Sequence, residues 1–167
     1  MKPGVDDHGV YQNNELGFSF VPPGGMRNAT SQAADPSAAK DPNSIQLLLF
    51  QLSGPNSNDV NWRAFAVQSF PRSQVSAAND FEAEVRLART VIGNTATEAE
   101  PAKKTTIGDR SYALCQYQRV HGVATEYSRV YTTMIGGQMV AFVFTANLPS
   151  NIDDMVKALN TLKVKAK

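Results

Sequence analysis

The alternation of apolar and polar positions along the chain predicts its β-strands. Near the start, apolar side chains recur at every second position, at Leu16, Phe18 and Phe20, which is the period of a strand with one buried face. Asn13-Asn14 is typical of a turn, so the residues before it are predicted to pair back as a short hairpin. Further strands are predicted over residues 45–52 and 62–70, and on either side of His121-Gly122 and of Gly136-Gly137.

Two other segments have the 3.6-residue period of an amphipathic helix. Residues 80–92 place their apolar side chains on one face, and Asn79 with Glu82 forms a capping box at the start. Gly93 suits the position just after a helix, where positive φ is common. A second helix with an apolar stripe is predicted over residues 152–162. The polar segment 27–44 is predicted to be a loop with room for one helical turn, and residues 94–104 a connection.

Two glycine-tipped reversals predict how the last three strands pair. His121-Gly122 and Gly136-Gly137 are interpreted as two-residue hairpin turns, because glycine supplies the positive φ that such turns need. This pairing places Tyr112 opposite Tyr131 and separates bulky from small side chains, and we expect the second helix to pack on the small-residue face. The bulky face holds Tyr112, Leu114, Gln116, Tyr127, Arg129, Tyr131, Thr133, Phe142 and Phe144, and the small-residue face holds Ala113, Cys115, Ser128, Val130, Ala141 and Val143.

The order of these elements predicts the fold class. Strands, a helix, more strands and a last helix indicate an α+β domain, since alternating βαβ units would intersperse helices regularly. We expect an antiparallel sheet of about six to seven strands flanked by helices. A length of 167 residues suits one domain, which is assigned to residues 10–167 after a flexible N-terminal arm at residues 1–9.

Composition excludes some functions and leaves others open. The formal net charge of +1 lacks the basic excess of nucleic-acid-binding domains. The one cysteine, Cys115, cannot form an intramolecular disulfide, and no apolar run approaches the roughly 18 residues of a transmembrane helix. A charged fraction of only 19%, with many uncharged polar residues, favours an exported protein whose signal has been removed over a cytoplasmic one.

Catalytic groups are sparse, and the sequence predicts no metal or cofactor. His121 at a hairpin tip is interpreted as an exposed turn residue, and Cys115 on the small-residue face as a buried, unreactive thiol. The alternative is a small hydrolase that uses His121 or Cys115, which requires a carboxylate and a hydroxyl within hydrogen-bonding distance. Asp153 and Asp154 are adjacent in a predicted helix and therefore diverge by about 100°.

The candidate binding site lies on the bulky face of the sheet. An arginine among tyrosines can stack on a ring or bind a carboxylate with two parallel hydrogen bonds. The competing interpretation is that the rings are core and Arg129 pairs with an acid. A binding role predicts an open concave surface there or at residues 26–44, and an unpaired edge strand would allow a homodimer or a larger self-assembly. The candidate site residues are Tyr112, Gln116, Tyr127, Arg129 and Tyr131.

The layout as a whole resembles the PsbP/Mog1-like α/β/α sandwich superfamily over residues 10–164. The resemblance rests on the opening strand 16–20 with its Pro-Gly turn, on residues 107–110 before a long strand, on the hairpin through residues 142–145 and on the closing helix. Met26 stands where the family usually has an aromatic residue. Its members include photosystem accessory subunits, a binder of a small GTPase and periplasmic proteins. The resemblance implies a non-catalytic binding or accessory domain that recognises a protein or a small ligand, and transfers no site residue.

Overall fold

The computed structural model describes residues 4–5, 8–54 and 56–166, except for the side chains of residues 4, 5 and 121. The helices are α1 (Thr30–Ala33), α2 (Pro36–Lys40), α3 (Asp80–Ile92) and α4 (Pro149–Val156), with 3₁₀ turns at Arg72–Gln74 and Lys157–Thr161. The strands are β1 (Gly4–Val5), β2 (Tyr11–Asn13), β3 (Phe18–Phe20), β4 (Arg27–Asn28), β5 (Gln46–Ser53), β6 (Arg63–Pro71), β7 (Thr97–Ile107), β8 (Arg110–His121), β9 (Ala124–Ile135), β10 (Gln138–Ala146) and β11 (Lys163–Val164).

These strands form two antiparallel sheets. The main sheet has seven strands in the order β4-β5-β6-β10-β9-β8-β7, and the small sheet has the order β1-β2-β3-β11. The predicted α+β class, with a sheet of six to seven antiparallel strands flanked by helices, is confirmed. Within the predicted N-terminal arm, Gly4–Val5 pairs with residues 11–12, and residues 1–3 and 6–7 lie outside the described residues.

Helix α3 covers the small-residue face of the main sheet. Its buried side chains include Ala83 and Ala88, which pack with Ala113, Val130 and Ala141 of the sheet. Small side chains on both surfaces let the helix lie close to the strands. The predicted bounds of this helix, its Asn79 cap and the glycine after it are all confirmed.

The bulky face packs against the small sheet and α4. One core cluster joins Phe18 and Phe20 of the small sheet, Ile152 and Met155 of α4, and the ring of Phe142 on β10. The prediction that the last helix packs on the small-residue face is therefore wrong. Both faces of the sheet need cover, and α3 already occupies the small-residue face.

The hairpin between β8 and β9 differs from the predicted register by two residues. His121 pairs with Ala124, so the turn is Gly122-Val123, and Leu114 rather than Tyr112 lies opposite Tyr131. Gly122 has φ of +55°, as the first position of a II′ turn requires. A shift of two residues preserves the side of each side chain, so the predicted division into two faces holds. The register between β9 and β10 is confirmed, with Tyr131 opposite Phe142.

Two predicted loops contain regular structure. Residues 94–104 were expected to form a connection, but most of them belong to β7, an edge strand whose side chains are largely exposed and which therefore lacks an apolar alternation. Segment 27–44 contains β4, α1 and α2. Asp35 caps α2 by accepting a hydrogen bond from the Ser37 amide.

Candidate functional site

Two neighbouring strands of the main sheet separate at one end. Pairing between β8 and β9 begins at Ala113 and Thr132, although β8 starts at Arg110 and β9 continues to Ile135. Beyond that point side chains bridge the strands, since the Thr133 hydroxyl donates to the Ser111 carbonyl at 3.0 Å. Arg110 Nη1 donates to the Met134 carbonyl at 3.2 Å. Side chains and main-chain groups of both strands therefore line an opening in the sheet.

This opening continues into a cleft of about 460 Å³ beside the first turns of α3. We call it the split cleft. It is lined by residues 109–112 at the start of β8, by residues 133–134 of β9, by residues 79–81 and Glu84 at the start of α3, and by Lys104 of β7. The volume lies within the range of about 300–1,000 Å³ that is usual for small-ligand pockets.

Glu84 is a buried carboxyl group in the split cleft. Its exposed fraction is 8%, although acidic residues are seldom buried. Burial raises the pKa of Glu84 to about 7, and the charge of Asp80 adds to this effect. Lys104, the Ala113 backbone and Arg72 act in the opposite direction. Glu84 therefore changes its protonation state near neutral pH, where it can either donate or accept a hydrogen bond.

Tyr112 also lines the cleft, but its ring lies in the bulky-face core, on the side of the sheet away from α3 and Glu84. The side chain is 1% exposed, and its hydroxyl makes no hydrogen bond to any residue that the structure describes. Burial raises the pKa of Tyr112 to about 12, so the hydroxyl keeps its proton at neutral pH. A buried hydroxyl without a hydrogen-bond partner costs roughly 1–3 kcal/mol of stability. Such groups are uncommon in native proteins, and each one calls for an explanation, such as a functional role.

The charges around the split cleft are only partly compensated. Asp80 forms an ion pair with Arg72 at 2.8 Å. Lys104 lies over the Phe81 ring at 5.6 Å from its centroid, and among the described residues it forms no salt bridge. The residues that line the cleft therefore include a protonatable carboxyl, Glu84, and a cation, Lys104, that has no salt bridge among the described residues.

Two of the predicted site residues, Tyr112 and Tyr131, belong to the core. Their rings meet edge to face at 6.0 Å, and Tyr131 also contacts the Phe144 ring at 5.8 Å. Both tyrosines join the core cluster that includes the small sheet and α4. The prediction of an open concave surface is wrong at these two positions, because the expected binding face is largely covered. Tyr112 nevertheless also lines the split cleft.

The other three predicted site residues lie together at the half-buried end of the same face. Gln116 on β8 lies opposite Arg129 on β9. Tyr127 precedes Arg129 by two residues and therefore lies on the same face of β9. Arg129 Nη1 donates to Asp153 of α4 at 2.6 Å, and Gln116 Nε2 donates to Glu100 at 2.9 Å. Arg129 thus pairs with an acid, as the competing interpretation held. A binding role for Gln116, Tyr127 and Arg129 stays a prediction.

The alternative function, a small hydrolase that uses His121 or Cys115, gains no support from the described residues. Cys115 is 1% exposed, and burial raises the pKa of its thiol to about 11, so the nucleophilic thiolate is scarce at neutral pH. The side chain of His121 lies outside the described residues. Across the described part of the chain, no group of three or more His, Cys, Asp or Glu side chains could hold a metal ion.

Segment 26–44 also borders a concave surface, as a binding role predicted. A cleft of about 430 Å³ lies between α1, α2 and the start of β5, with Ala34, Ala39 and Leu47 among its lining residues. Gln46 Nε2 donates to the carbonyls of Ala38 and Asp41 and so fixes α2 against β5. Because the Gln46 amide already has hydrogen-bond partners, it is less available to a ligand.

Sequence reasoning missed the split cleft although one signal was present. Glu84 follows Phe81 by three residues and precedes Ala88 by four, which puts it on the apolar face of α3. A carboxylate at such a position is unusual and could have marked a buried acid. The separation of β8 from β9 had no comparable signal, because it depends on the tertiary pairing of residues distant in sequence.

Comparisons with known proteins support the fold. No protein-family model matches the chain, and no curated protein matches it. Its structure is similar to a crystal structure of a protein from Bacteroides thetaiotaomicron VPI-5482 determined at 1.50 Å resolution, with a TM-score of 0.50 and 14% sequence identity. The match covers 90% of this chain and 46% of the other, so this chain spans about half the length of that protein. At this identity the likeness shows the fold alone.

One further finding concerns membranes. Every helix in the described ranges is too short or too polar to cross a lipid bilayer.

Proposed function

We propose that the protein is a non-catalytic binding domain that holds a small polar ligand in the split cleft. One observation carries this proposal: a cleft of about 460 Å³ is lined by Glu84, whose carboxyl group is buried although acidic residues are seldom buried. Proteins seldom bury such groups without a functional reason. An accessory role of the kind that the PsbP/Mog1-like resemblance implies is compatible with this proposal.

The size and setting of the cleft favour a small ligand over a protein partner. The cleft has a volume of about 460 Å³ and polar residues in its lining, whereas a protein interface of standard size needs about 800 Å² of surface from each partner. A peptide added to the main sheet would have to pair with β7. This edge strand contains Pro101, which cannot donate a hydrogen bond, and carries the charged residues Glu100 and Lys103. Such features oppose edge-to-edge pairing and therefore weigh against self-assembly through β7.

Binding to the split cleft can be tested by NMR with a panel of small neutral, cationic and anionic compounds. We expect at least one compound to shift the amide signals of residues 111–113 and 133–134 in a saturable manner. Substitution Ser111→Trp should abolish this response, because Ser111 is an exposed lining residue that can accept a larger side chain into the cleft.

Gln118→Trp is the matched control, since Gln118 is also exposed on β8 but does not line the cleft. It should leave the response unchanged. If no compound in the panel shifts these amides, or if Ser111→Trp leaves their response intact, the split cleft is not the binding site and the proposal is wrong.

A further inference from the structure

We infer that the ligand of the split cleft is a small uncharged molecule that presents an amide group to Glu84 and Lys104. This inference rests on the proposed binding function and deepens it by naming the class of ligand. An amide group carries an N–H donor next to a carbonyl acceptor. It can therefore donate a hydrogen bond to the Glu84 carboxyl and accept one from the Lys104 ammonium group.

Glu84 and Lys104 lie on the same side of the main sheet. Lys104 on β7 is paired with Ala113 on β8, and Ala113 belongs to the small-residue face that α3 covers. Directly paired residues have their side chains on the same face, so the Lys104 side chain lies on the α3 side. Its Nζ is 5.6 Å from the centroid of the Phe81 ring, and Phe81 precedes Glu84 by three residues on α3. Both Glu84 and Lys104 line the split cleft.

The Glu84 carboxyl has room for a ligand in both of its protonation states. It accepts a hydrogen bond from the Ala113 amide, which acts to lower its pKa. The ionised carboxylate has about four acceptor positions on its two oxygens, so it can also accept from a ligand N–H. The protonated form donates one hydrogen bond, which the carbonyl oxygen of an amide can accept. Glu84 can therefore bind an amide group whether or not it is ionised.

The charges that line the cleft nearly cancel, which favours an uncharged ligand. Besides Glu84, the charged residues of the lining are Asp80, Asp109, Lys104 and Arg110. The formal charge of the lining is therefore 0 when Glu84 is protonated and −1 when it is ionised. Arg72, from outside the lining, further compensates Asp80 through an ion pair at 2.8 Å. A charged ligand would lose hydration without a strong net attraction, whereas an uncharged polar ligand avoids most of that cost.

The titration of Glu84 distinguishes the possible classes of ligand. Burial raises the pKa of Glu84 to about 7. The affinity for an amide should change by less than about threefold across this pH, because both forms of Glu84 can bind it. As the pH rises through about 7, a cation should bind more tightly and an anion more weakly, since the ionised carboxylate attracts one and repels the other. The groups that act on this titration are Asp80 on α3, Lys104 on β7, Arg72 on the first 3₁₀ turn and the Ala113 backbone on β8.

The test compares benzamide with benzoate and benzylammonium, which have the same ring but a different charge. NMR titrations at about pH 6 and about pH 8, on either side of the pKa of Glu84, should give the strongest binding for benzamide. The saturable shifts should appear at residues 111–113 and 133–134. Glu84→Leu should weaken benzamide binding about tenfold, because it removes the hydrogen bond. Glu84→Gln keeps an acceptor and a donor, so its affinity should stay within about threefold of the parent.

A second pair of variants tests the role of Lys104. Lys104→Met should weaken benzamide binding about threefold, since it removes a donor that is exposed to water. Lys103→Met is the matched control, because it removes the same charge from a residue that points to the opposite face of β7. Lys103 also has its own acidic partner, Glu100, at 3.5 Å. This control should leave benzamide binding unchanged.

The outcomes separate the class of ligand from the proposed function. If benzoate or benzylammonium binds better than benzamide at the same amides, the inferred ligand class is wrong while the cleft remains a binding site. An unchanged affinity in Glu84→Leu, or equal losses in Lys103→Met and Lys104→Met, would also overturn the inference, since neither side chain would then hold the amide group. If all three compounds and the wider panel leave these amides unmoved, the proposed function itself fails.

Discussion

At the scale of single residues, the split cleft combines groups that cost stability. Glu84 is buried with a pKa raised to about 7, and the Tyr112 hydroxyl is buried without a partner among the described residues. Neither arrangement strengthens the fold, because an apolar side chain of similar size would be easier to bury. A ligand in the cleft that hydrogen-bonds the Glu84 carboxyl group would recover part of the cost at that residue, which is why Glu84 carries the functional proposal.

The titration of Glu84 predicts how stability depends on pH. The pKa rises from 4.5 to about 7 on folding, so the folded protein keeps a proton that the unfolded chain releases between these values. The contribution of Glu84 to the free energy of unfolding is therefore intact below about pH 4.5 and declines as the pH rises to about 7. Glu84→Gln cannot ionise and should avoid this decline.

Chemical denaturation should measure this difference. Relative to the parent, Glu84→Gln should gain up to about 3 kcal/mol of stability between about pH 4 and pH 8, since one pKa unit corresponds to about 1.4 kcal/mol. Glu15→Gln is the control, because Glu15 is exposed in the turn between β2 and β3. Parallel pH curves for the parent and Glu84→Gln would contradict the prediction.

The face of the sheet on which each residue lies could be predicted from the sequence. Which helix or small sheet packs on that face could not. The two-residue period of a strand assigns Tyr112 and Tyr131 to one face, and this holds despite the shift at Gly122-Val123. Which helix packs on which face depends on long-range packing. A size argument was available, since Ala83 and Ala88 of α3 match the small-residue face and the Ile152 and Met155 side chains of α4 fill space between rings.

At the scale of elements, α3 was predictable because every local signal agrees. Its apolar face, its cap and the glycine after it all indicate the same bounds. β7 could not be predicted in this way, since the sequence of an exposed edge strand with Pro101 resembles that of a loop. β7 is identified by its pairing with β8, which local sequence does not encode.

The N-terminal cap of α3 provides a prediction at this scale. Asn79 Oδ1 accepts a hydrogen bond from the Glu82 amide at 2.9 Å, and Glu82 Oε2 accepts one from the Ala78 amide at 3.0 Å. Asn79→Ala removes the first of these bonds and should lower the free energy of unfolding by about 1 kcal/mol. Equilibrium urea unfolding measures the effect.

Asn94→Ala is the matched control, because Asn94 is exposed after the other end of α3. It should change stability by less than about 0.5 kcal/mol. Equal losses in the two variants would mean that the Asn79 hydrogen bond does not cap the helix effectively.

At the scale of the whole molecule, the small sheet joins the two ends of the described chain. β11 pairs with β3, with Lys163 opposite Ser19 and Val164 opposite Phe18, so the C-terminal segment holds the first hairpin in place. The Lys165 amide extends this contact by donating to the Gly17 carbonyl at 2.8 Å. The small sheet in turn covers the bulky face of the main sheet, since Phe18 and Phe20 both contact the Phe142 ring edge to face.

The pairing of β11 with β3 predicts that the β2–β3 hairpin depends on the C-terminal strand for its stability. A chain ending at Leu162 loses the β11 pairing and the partly buried Val164, and its free energy of unfolding should fall by about 2 kcal/mol. Hydrogen exchange should accelerate at Phe18 and Phe20 but not at residues 111–113, because the split cleft lies in the main sheet. A chain ending at Lys165 keeps both β11 and the bond to Gly17, so it should match the parent. If the Phe18 amide exchanges at the same rate in the two truncated chains, the packing of its own rings holds the hairpin in place. β11 then does not stabilise it.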